Sequence, residues 1–344
     1  MNGVDKGQIG QQRQEPALQS ANTNDSVFMF ITRSCNLTCS HCYVSAGPRL
    51  KGNMSLDIFG EVVDYFLRQG INDFRLTGGE PTFHPEFDLM LDLLSTKGIT
   101  PRLITNGIRL MKMQSPQFVL EKVSKCWISA YGVNKNQHRA IGGERSLALE
   151  DILEFVGRQT MAGHWVGISV LLTEVSLDDL ENFLVLAKKY GVRYLRFLFA
   201  EPTGRAMSSK VAFAYGDRTR DQAKIVFDYL DHSITSDAFD FLSLNNPFDL
   251  NTAHKLGLAS CMLGSRSMWS ISPEGDIYSC CFNIYDPVHK VTNVLSDTAG
   301  QALSNNNLVN NYAHRCKGLN SNYWGSKNSA VACPISALTL SRSR

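Results

Sequence analysis

No stretch of 18 apolar residues occurs anywhere in this 344-residue chain, so a transmembrane helix is excluded. No basic segment followed by an apolar core opens it, so export by a signal peptide is not expected. Neither sign of charge is in excess: 34 Lys and Arg face 32 Asp and Glu, a formal net of +2. A protein built to grip a phosphate backbone would need more, so nucleic acid is not the expected partner. With 43% hydrophobic and only 19% charged residues, there is ample material for a core. Chains of this length bury roughly three quarters of their unfolded surface. That leaves room for one large domain and a small one.

Cysteine is the residue present in unexpected number. Nine of them, without an export signal, fit a reducing cytoplasm in which thiols serve as metal ligands or reactive groups. An odd total also sits badly with a closed disulfide framework. Three crowd together (Cys35, Cys39, Cys42), Cys126 stands alone, and Cys261, Cys280, Cys281, Cys316 and Cys333 lie in the last quarter.

Residues 1–25 are rich in Gln, Asn, Ser and Gly and read as a disordered lead-in. From residue 26 short apolar strands alternate with amphipathic helices. Strands are expected at Val27–Thr32, Asp73–Thr77, Arg102–Thr105, Cys126–Tyr131, Val166–Thr173 and Tyr194–Ala200. Helices are expected at Leu56–Arg68, Glu86–Leu94, Pro116–Val123, Ala148–Thr160, Leu177–Lys189 and Asp217–Leu230, with Ser55 and Ser176 as start signals. Six such units imply parallel strands with right-handed crossovers, either a partial (β/α)6 TIM-like barrel or an open doubly wound sheet. Past about Phe239 the alternation stops. Met268–Ser272 and Ile277–Cys281 flank a Pro-Glu-Gly-Asp turn and read as a hairpin. The expected division is 1–25, a barrel at 26–238 and a small cysteine-rich appendage at 239–344.

Cys35-x3-Cys39-x2-Cys42 follows the first strand directly, where a barrel's binding loops emerge. Three thiolates can hold three irons of a 4Fe–4S cluster and leave the fourth open. A zinc site is the alternative, although structural zinc usually takes four ligands and His41 is poorly placed to be the fourth. A second motif, Leu76-Thr-Gly-Gly-Glu-Pro81, ends the second strand. Gly78 and Gly79 admit close backbone approach, and Glu80 offers an acceptor to an ammonium group.

Together the triplet, the aromatic Tyr43 after it and the Gly-Gly-Glu-Pro segment resemble the radical S-adenosylmethionine (SAM) superfamily, from about Val27 to Pro202. The resemblance implies that the open iron chelates the SAM amino and carboxylate groups while Gly78–Glu80 receives the amine. Reductive cleavage then gives a 5′-deoxyadenosyl radical that removes a hydrogen atom from the substrate. It further implies a ribose contact at Ser129, although "SAYG" stands where the family has "SLDG". Arg139, Asn106 and Leu198, the last near the adenine, complete the implied SAM contacts. Glu201-Pro-Thr-Gly-Arg205 resembles the family's Pro-x-Gly-Arg segment closing strand six.

Cys261-x13-Gly275-x4-Cys280 is similar to the opening of the SPASM or twitch extension of one branch of that superfamily. Only Cys316 and Cys333 follow, so the resemblance implies one auxiliary 4Fe–4S cluster on Cys261, Cys280, Cys316 and Cys333; zinc is the alternative. Cys281 is left over. Either it replaces Cys280 or a distal cysteine as ligand, or it is a free thiol facing the substrate. Alternation along a strand puts Cys280 and Cys281 on opposite faces and favours one ligand and one free thiol, with Cys281 the candidate catalytic hydrogen-atom donor. Cys126 reads as an inert core residue.

The expected function is therefore a radical SAM oxidation or dehydrogenation of a peptide or small natural product, fed by a donor such as flavodoxin or ferredoxin. A redox-neutral epimerase, or a lyase or decarboxylase of a sugar-like product, is the alternative that would use Cys281. The short lead-in tilts the substrate toward a small molecule or a peptide presented by a separate protein. An RNA-modifying relative should carry a basic appendage, which is missing. A non-catalytic metal module would not explain the strand-end Gly-Gly-Glu-Pro.

Overall fold

Apolar β-branched and aromatic runs followed by capped amphipathic helices build a parallel sheet one strand–helix unit at a time. A computed structural model describes residues 25–173, 176–199, 204–207, 229, 239–245, 268–278, 280–296, 299 and 337–339. The order begins β1 (Ser26–Phe30), α1 (Leu56–Arg68), β2 (Asp73–Thr77), α2 (Phe87–Thr96), β3 (Arg102–Thr105), α3 (Ile108–Lys112), α4 (Gln117–Leu120) and β4 (Lys125–Ala130). It continues α5 (Lys135–Gly142), α6 (Leu149–Met161), β5 (Val166–Leu172), α7 (Leu177–Lys189) and β6 (Tyr194–Phe199). Then come β7 (Phe241–Asn245), β8 (Met268–Ile271), β9 (Asp276–Tyr278), β10 (Lys290–Asn293) and β11 (Ala337–Thr339).

The Ser55 and Ser176 side chains accept from the amides of Ile58 and Asp179 and start α1 and α7, as expected of caps. The expected helix at Pro116–Val123 is one turn, α4, and α3 and α5 are short helices with no strong periodic signal. Of the expected helix Asp217–Leu230 only Tyr229 is described, and it is helical.

Strands β1 to β7 are parallel neighbours in chain order. β8 then pairs parallel with the free edge of β1, aligning Ser26 with Met268, and β9 and β10 extend that edge antiparallel. β11 closes on β7. The expected boundary near residue 239 is therefore no break in the sheet: strands on both sides of it belong to one surface.

One face of the sheet is sealed. Met29, Leu76, Leu103, Cys126, Ile128, Ile168 and Leu195 join Phe59, Phe66, Leu94, Val156 and Phe183 of the helices in the main core. Cys126 is fully buried there, as expected of a small apolar filler. The other face is partly exposed, although β5 is buried on both sides. In β2, β3 and β6 the buried positions alternate with half-buried ones, Asp73, Arg75, Arg102, Ile104, Tyr194, Arg196 and Leu198. Arg196 on β6 feels the charges of Arg75 on β2 and Arg102 on β3. A flat sheet would hold β2 and β6 about 19 Å apart. The sheet is curled into a trough, the partial TIM-like barrel expected. Among the described residues no helix is long and apolar enough to cross a membrane.

Candidate functional site

The loop leaving β1 carries the cysteine triplet to the C-terminal mouth of this trough. Cys35 and Cys39 are buried and Cys42 is half-buried. Backbone donors point at two of the sulfurs, Leu37 N–H to Cys35 Sγ at 3.4 Å and Ala46 N–H to Cys42 Sγ at 3.3 Å. The Asn106 amide approaches Cys35 Sγ at 3.9 Å. N–H donors stabilise a thiolate far more than a thiol, and hydrogen bonds to ligating sulfur tune iron–sulfur potentials. Without metal, burial pushes Cys35 up to about 12 and Cys39 up to about 11, so ligation must displace protons. Among the described residues no three Cys, His, Asp or Glu side chains gather as tightly as a single metal ion requires. His41 packs its ring on Tyr131 at 5.2 Å, and burial, with Arg205 nearby, lowers it to about 4.

Three clamps hold the loop. The first is the Gly-Gly-Glu segment. Gly79 N–H donates to the Thr32 carbonyl at 2.6 Å and Glu80 N–H to that of Ser34 at 2.9 Å. A Cβ on Gly78 would stand 2.5 Å from Thr32 O, and one on Gly79 only 2.1 Å from Ser34 O. The sequence analysis gave these glycines to a ligand; in the structure what they admit is the cluster loop's own backbone.

Glu80 forms the second clamp. Its Oε1 accepts from Thr82 N, Thr82 Oγ1 and Thr105 Oγ1, and its Oε2 accepts from Asn106 N at 2.7 Å. Burial pushes this carboxyl upward against those four donors. The carboxylate is thus first a brace between β2 and β3, and only Oε2 keeps acceptor capacity to spare. Asn106 extends the brace, its amide donating to Asn36 Oδ1 at 2.7 Å.

The third clamp is Arg205, just past β6. Its Nε donates to Cys39 O at 2.9 Å, its Nη2 to Ala46 O at 2.6 Å and its backbone N–H to Cys42 O at 3.0 Å. Gly204, at φ +58, lies against the same loop, where a Cβ would stand 2.3 Å from Tyr43 O. The sequence analysis noted the Gly-Arg pair without giving Arg205 a role.

Ser129 and Leu198 are half-buried on the open side of β4 and β6. Tyr43 lies edge-on to Phe30 and Phe282, with centroids 6.3 and 5.0 Å away. Arg139 is not gathered in: it is exposed and ion-paired with Glu144 on the outside of α5. The residue that α5 turns inward is His138, whose Nδ1 accepts from Tyr131 N at 3.0 Å. Nothing in the local pattern but helical periodicity would separate the two.

Cys280 and Cys281 are both buried. β9 ends at Tyr278, so regular strand alternation does not reach them. Cys281 packs in an apolar cluster with Phe30, Met268, Tyr278 and Ile284, against which Tyr43 lies. Cys261, Cys316 and Cys333 lie outside the described residues.

Comparison with known proteins agrees with this geometry. The profile of the Radical SAM superfamily matches residues 29–187. Mycofactocin maturase MftC of Mycobacterium tuberculosis is 30% identical over 285 residues, covering 81% of this chain and 70% of that protein. The chain belongs to the radical SAM superfamily. The antilisterial bacteriocin subtilosin biosynthesis protein AlbA of Bacillus subtilis is 23% identical, covering 81% of the chain and 59% of AlbA. In fold the chain is similar to Streptococcus suis SuiB bound to its precursor peptide SuiA, with TM-score 0.66, 14% identity, and 83% and 65% of the two chains covered. The SPASM/twitch branch of this superfamily, expected from the C-terminal cysteines, is the one these relatives represent.

This is therefore a radical SAM enzyme, and its cofactors are the family's: a 4Fe–4S cluster, SAM and an auxiliary cluster. The residues present fit the first of these. Three thiols share one short, clamped loop, with amides aimed at two sulfurs. No fourth side chain completes a single-ion site among the described residues.

Proposed function

We propose that this enzyme oxidises a peptide, as a maturase acting on a ribosomally made precursor. The observation that carries the reading is the 30% identity to a named maturase across 81% of the chain. The SuiB fold, solved with a precursor peptide, supports it. This reading replaces the tilt toward a small molecule that the short lead-in suggested.

In this proposal Cys35, Cys39 and Cys42 ligate the initiating cluster, and Cys261, Cys280, Cys316 and Cys333 the auxiliary one. When bound, the cluster and SAM supply the radical that removes a hydrogen atom from the substrate. The chain's own work is positional. Gly79, Glu80, Asn106 and Arg205 fix the loop, and the spare lone pair of Glu80 Oε2 is the acceptor for the SAM amine. Ser129 and Leu198 line the open side for the ribose and adenine. The trough receives the peptide, and its walls keep water from the reacting carbon. We assign residues 26–238 to initiation and 239–344 to the auxiliary site, although they share one sheet. A ferredoxin or flavodoxin is the proposed electron donor, and the cytoplasm is the proposed compartment, which the nine cysteines favour.

The test is anaerobic reconstitution, reduction, and incubation with SAM and short peptides encoded beside the gene. A product two hydrogens lighter, formed together with 5′-deoxyadenosine, is expected. SAM cleavage that no such peptide accelerates or is altered by would remove the peptide reading.

A further inference from the structure

The trough contains a cation that has no counter-ion among the described residues. Arg75, Arg102, Lys125 and Arg196 project from β2, β3, β4 and β6 at positions alternating with the sealed core. Pairing aligns Arg75 with Arg102 and Arg102 with Lys125, while Arg196 pairs with Ser169, which pairs in turn with Ser129 further along β4. Asp73 is the carboxylate beside Arg75 and Arg102, and it is already shared. Its Oδ2 takes Arg75 Nη2 at 3.0 Å and its Oδ1 takes Arg102 Nε at 3.0 Å.

Arg196 stands apart from that pair. Its guanidinium carbon lies 4.5 Å above the Trp127 ring centroid, and its Nε donates to Ser169 Oγ. Among the described residues these two are its partners, and neither carries charge. The side chain lies deep in the protein, where burial, reinforced by Arg75 and Arg102, lowers it to about 9. It remains a cation at neutral pH. Its residue is nonetheless only half-buried.

A buried guanidinium with no anion is costly, and interior charges are retained where something pairs with them. The planar fork suits a carboxylate, which it can take through two parallel N–H···O bonds. Ser169 consumes Nε, and among the described residues both terminal nitrogens remain. Trp127 fixes the plane of the fork. Arg196 is also two residues nearer the start of β6 than Leu198.

We propose that Arg196, braced by Trp127 and Ser169, binds a carboxylate of the substrate inside the trough. The inference rests on the trough being the substrate site and not on the substrate being a peptide. The carboxylate can come from an acidic side chain, a peptide C-terminus or a small acid.

The test is the thermal unfolding of the reconstituted holoenzyme with acetate, acetamide or chloride at constant ionic strength. Acetate at 100 mM should raise the melting temperature by about 2 °C or more, with acetamide and chloride inert. The Arg196→Met variant should melt no lower than wild type without ligand, keep its iron and cluster absorption, and lose the acetate shift. An N-acetylated trialanine with a free carboxylate, its amide, and an amidated Ala-Glu-Ala peptide then separate chain end from side chain. Stabilisation by either carboxylate that Arg196→Met abolishes supports the subsite. An equal acetate shift in both proteins, or none in either, overturns it. So does an Arg196→Met variant that melts much lower, since Arg196 would then be satisfied from within. Loss of the shift at saturating SAM would assign the anion site to SAM itself and also overturn the proposal. The acetate arm involves no peptide turnover, so its failure would leave the maturase reading standing, and the reverse.

Discussion

Arg205 reaches from beyond the sixth strand to the carbonyl of Cys39 at 2.9 Å, tying the sixth unit of the barrel to the loop leaving the first. Hydrogen bonds from a charged donor are worth about 1.5–3 kcal/mol each, and this guanidinium makes two to the loop backbone. Arg205→Ala should therefore lower iron occupancy of the initiating site and SAM cleavage several-fold, while the fold survives by circular dichroism. Arg205→Lys should recover part of both. Full iron loading in the Arg205→Ala variant would show that the loop holds without this clamp.

Gly79→Ala should be worse than its size suggests. The new Cβ would sit 2.1 Å from Ser34 O, so the loop must move or the β2 turn must open. Loss of the visible cluster absorption is the expected result. Gly98→Ala is the control for handling a glycine in a turn, since nothing lies within 4 Å of its added Cβ, although its φ of +70 carries some strain. A Gly79→Ala protein that loads iron normally would refute the close approach.

The metal-free protein should be labile in alkali. Burial raises Cys35 to about 12 and Cys39 to about 11 from an ordinary 9.0, so the folded chain holds these protons more tightly than the unfolded one. Stability from them is complete below about pH 9 and is lost as pH climbs toward 11 and 12, by up to about 1.4 kcal/mol per pH unit per thiol. Urea unfolding of apo-protein at pH 8 and 10.5 should show the loss. A Cys35→Ser/Cys39→Ser protein should show less of it. Buried tyrosines contribute to both, so the difference between the two proteins is the quantity to read.

Replacing Cys35, Cys39 and Cys42 together by Ala should abolish 5′-deoxyadenosine formation and leave the auxiliary iron, about four atoms for a cubane. Iron and sulfide counting after anaerobic reconstitution checks it. One zinc and no iron would make the C-terminal site structural zinc.

Cys281 separates reaction types. It is buried in an apolar cluster with Phe30, Met268 and Tyr278, against which Tyr43 lies. If it donates a hydrogen atom, turnover in deuterated water should place deuterium at the abstracted carbon, and Cys281→Ala should still cleave SAM while losing that product. A product two hydrogens lighter and free of deuterium would establish the oxidation and leave Cys281 a packing residue.

The first six parallel strands were readable as short runs bounded by polar turns, alternating in Asp73–Thr77 and largely apolar in Val166–Leu172, whereas β7 was not expected. The helices α1 and α7 were readable because a Ser cap precedes each apolar stripe. The triplet declared itself by spacing. What stayed hidden depends on contacts distant in sequence. No local feature of Gly78 and Gly79 says that the neighbour they admit is Thr32–Ser34 rather than a ligand. No local feature of Met268–Ile271 says that it will pair parallel with β1. Arg139 and His138 are adjacent, and which of them faces inward follows from the helix's docking against Tyr131. Arg196 looked like an ordinary charge in a strand until the curl of the sheet put it opposite Arg75.

The pairing of Ser26 with Met268 also sets a timetable for synthesis. The first strand leaves the ribosome with one edge that only the last quarter of the chain can cover. Domains fold as they emerge at roughly 5–20 residues per second, so that edge stays bare for on the order of ten seconds or more. Such an edge is a template for wrong partners. The cysteine loop hangs from the same strand, so premature loading of iron would meet a wall not yet built. Slowing translation between the two strands should increase aggregation of nascent chains more than slowing it anywhere after Ile271.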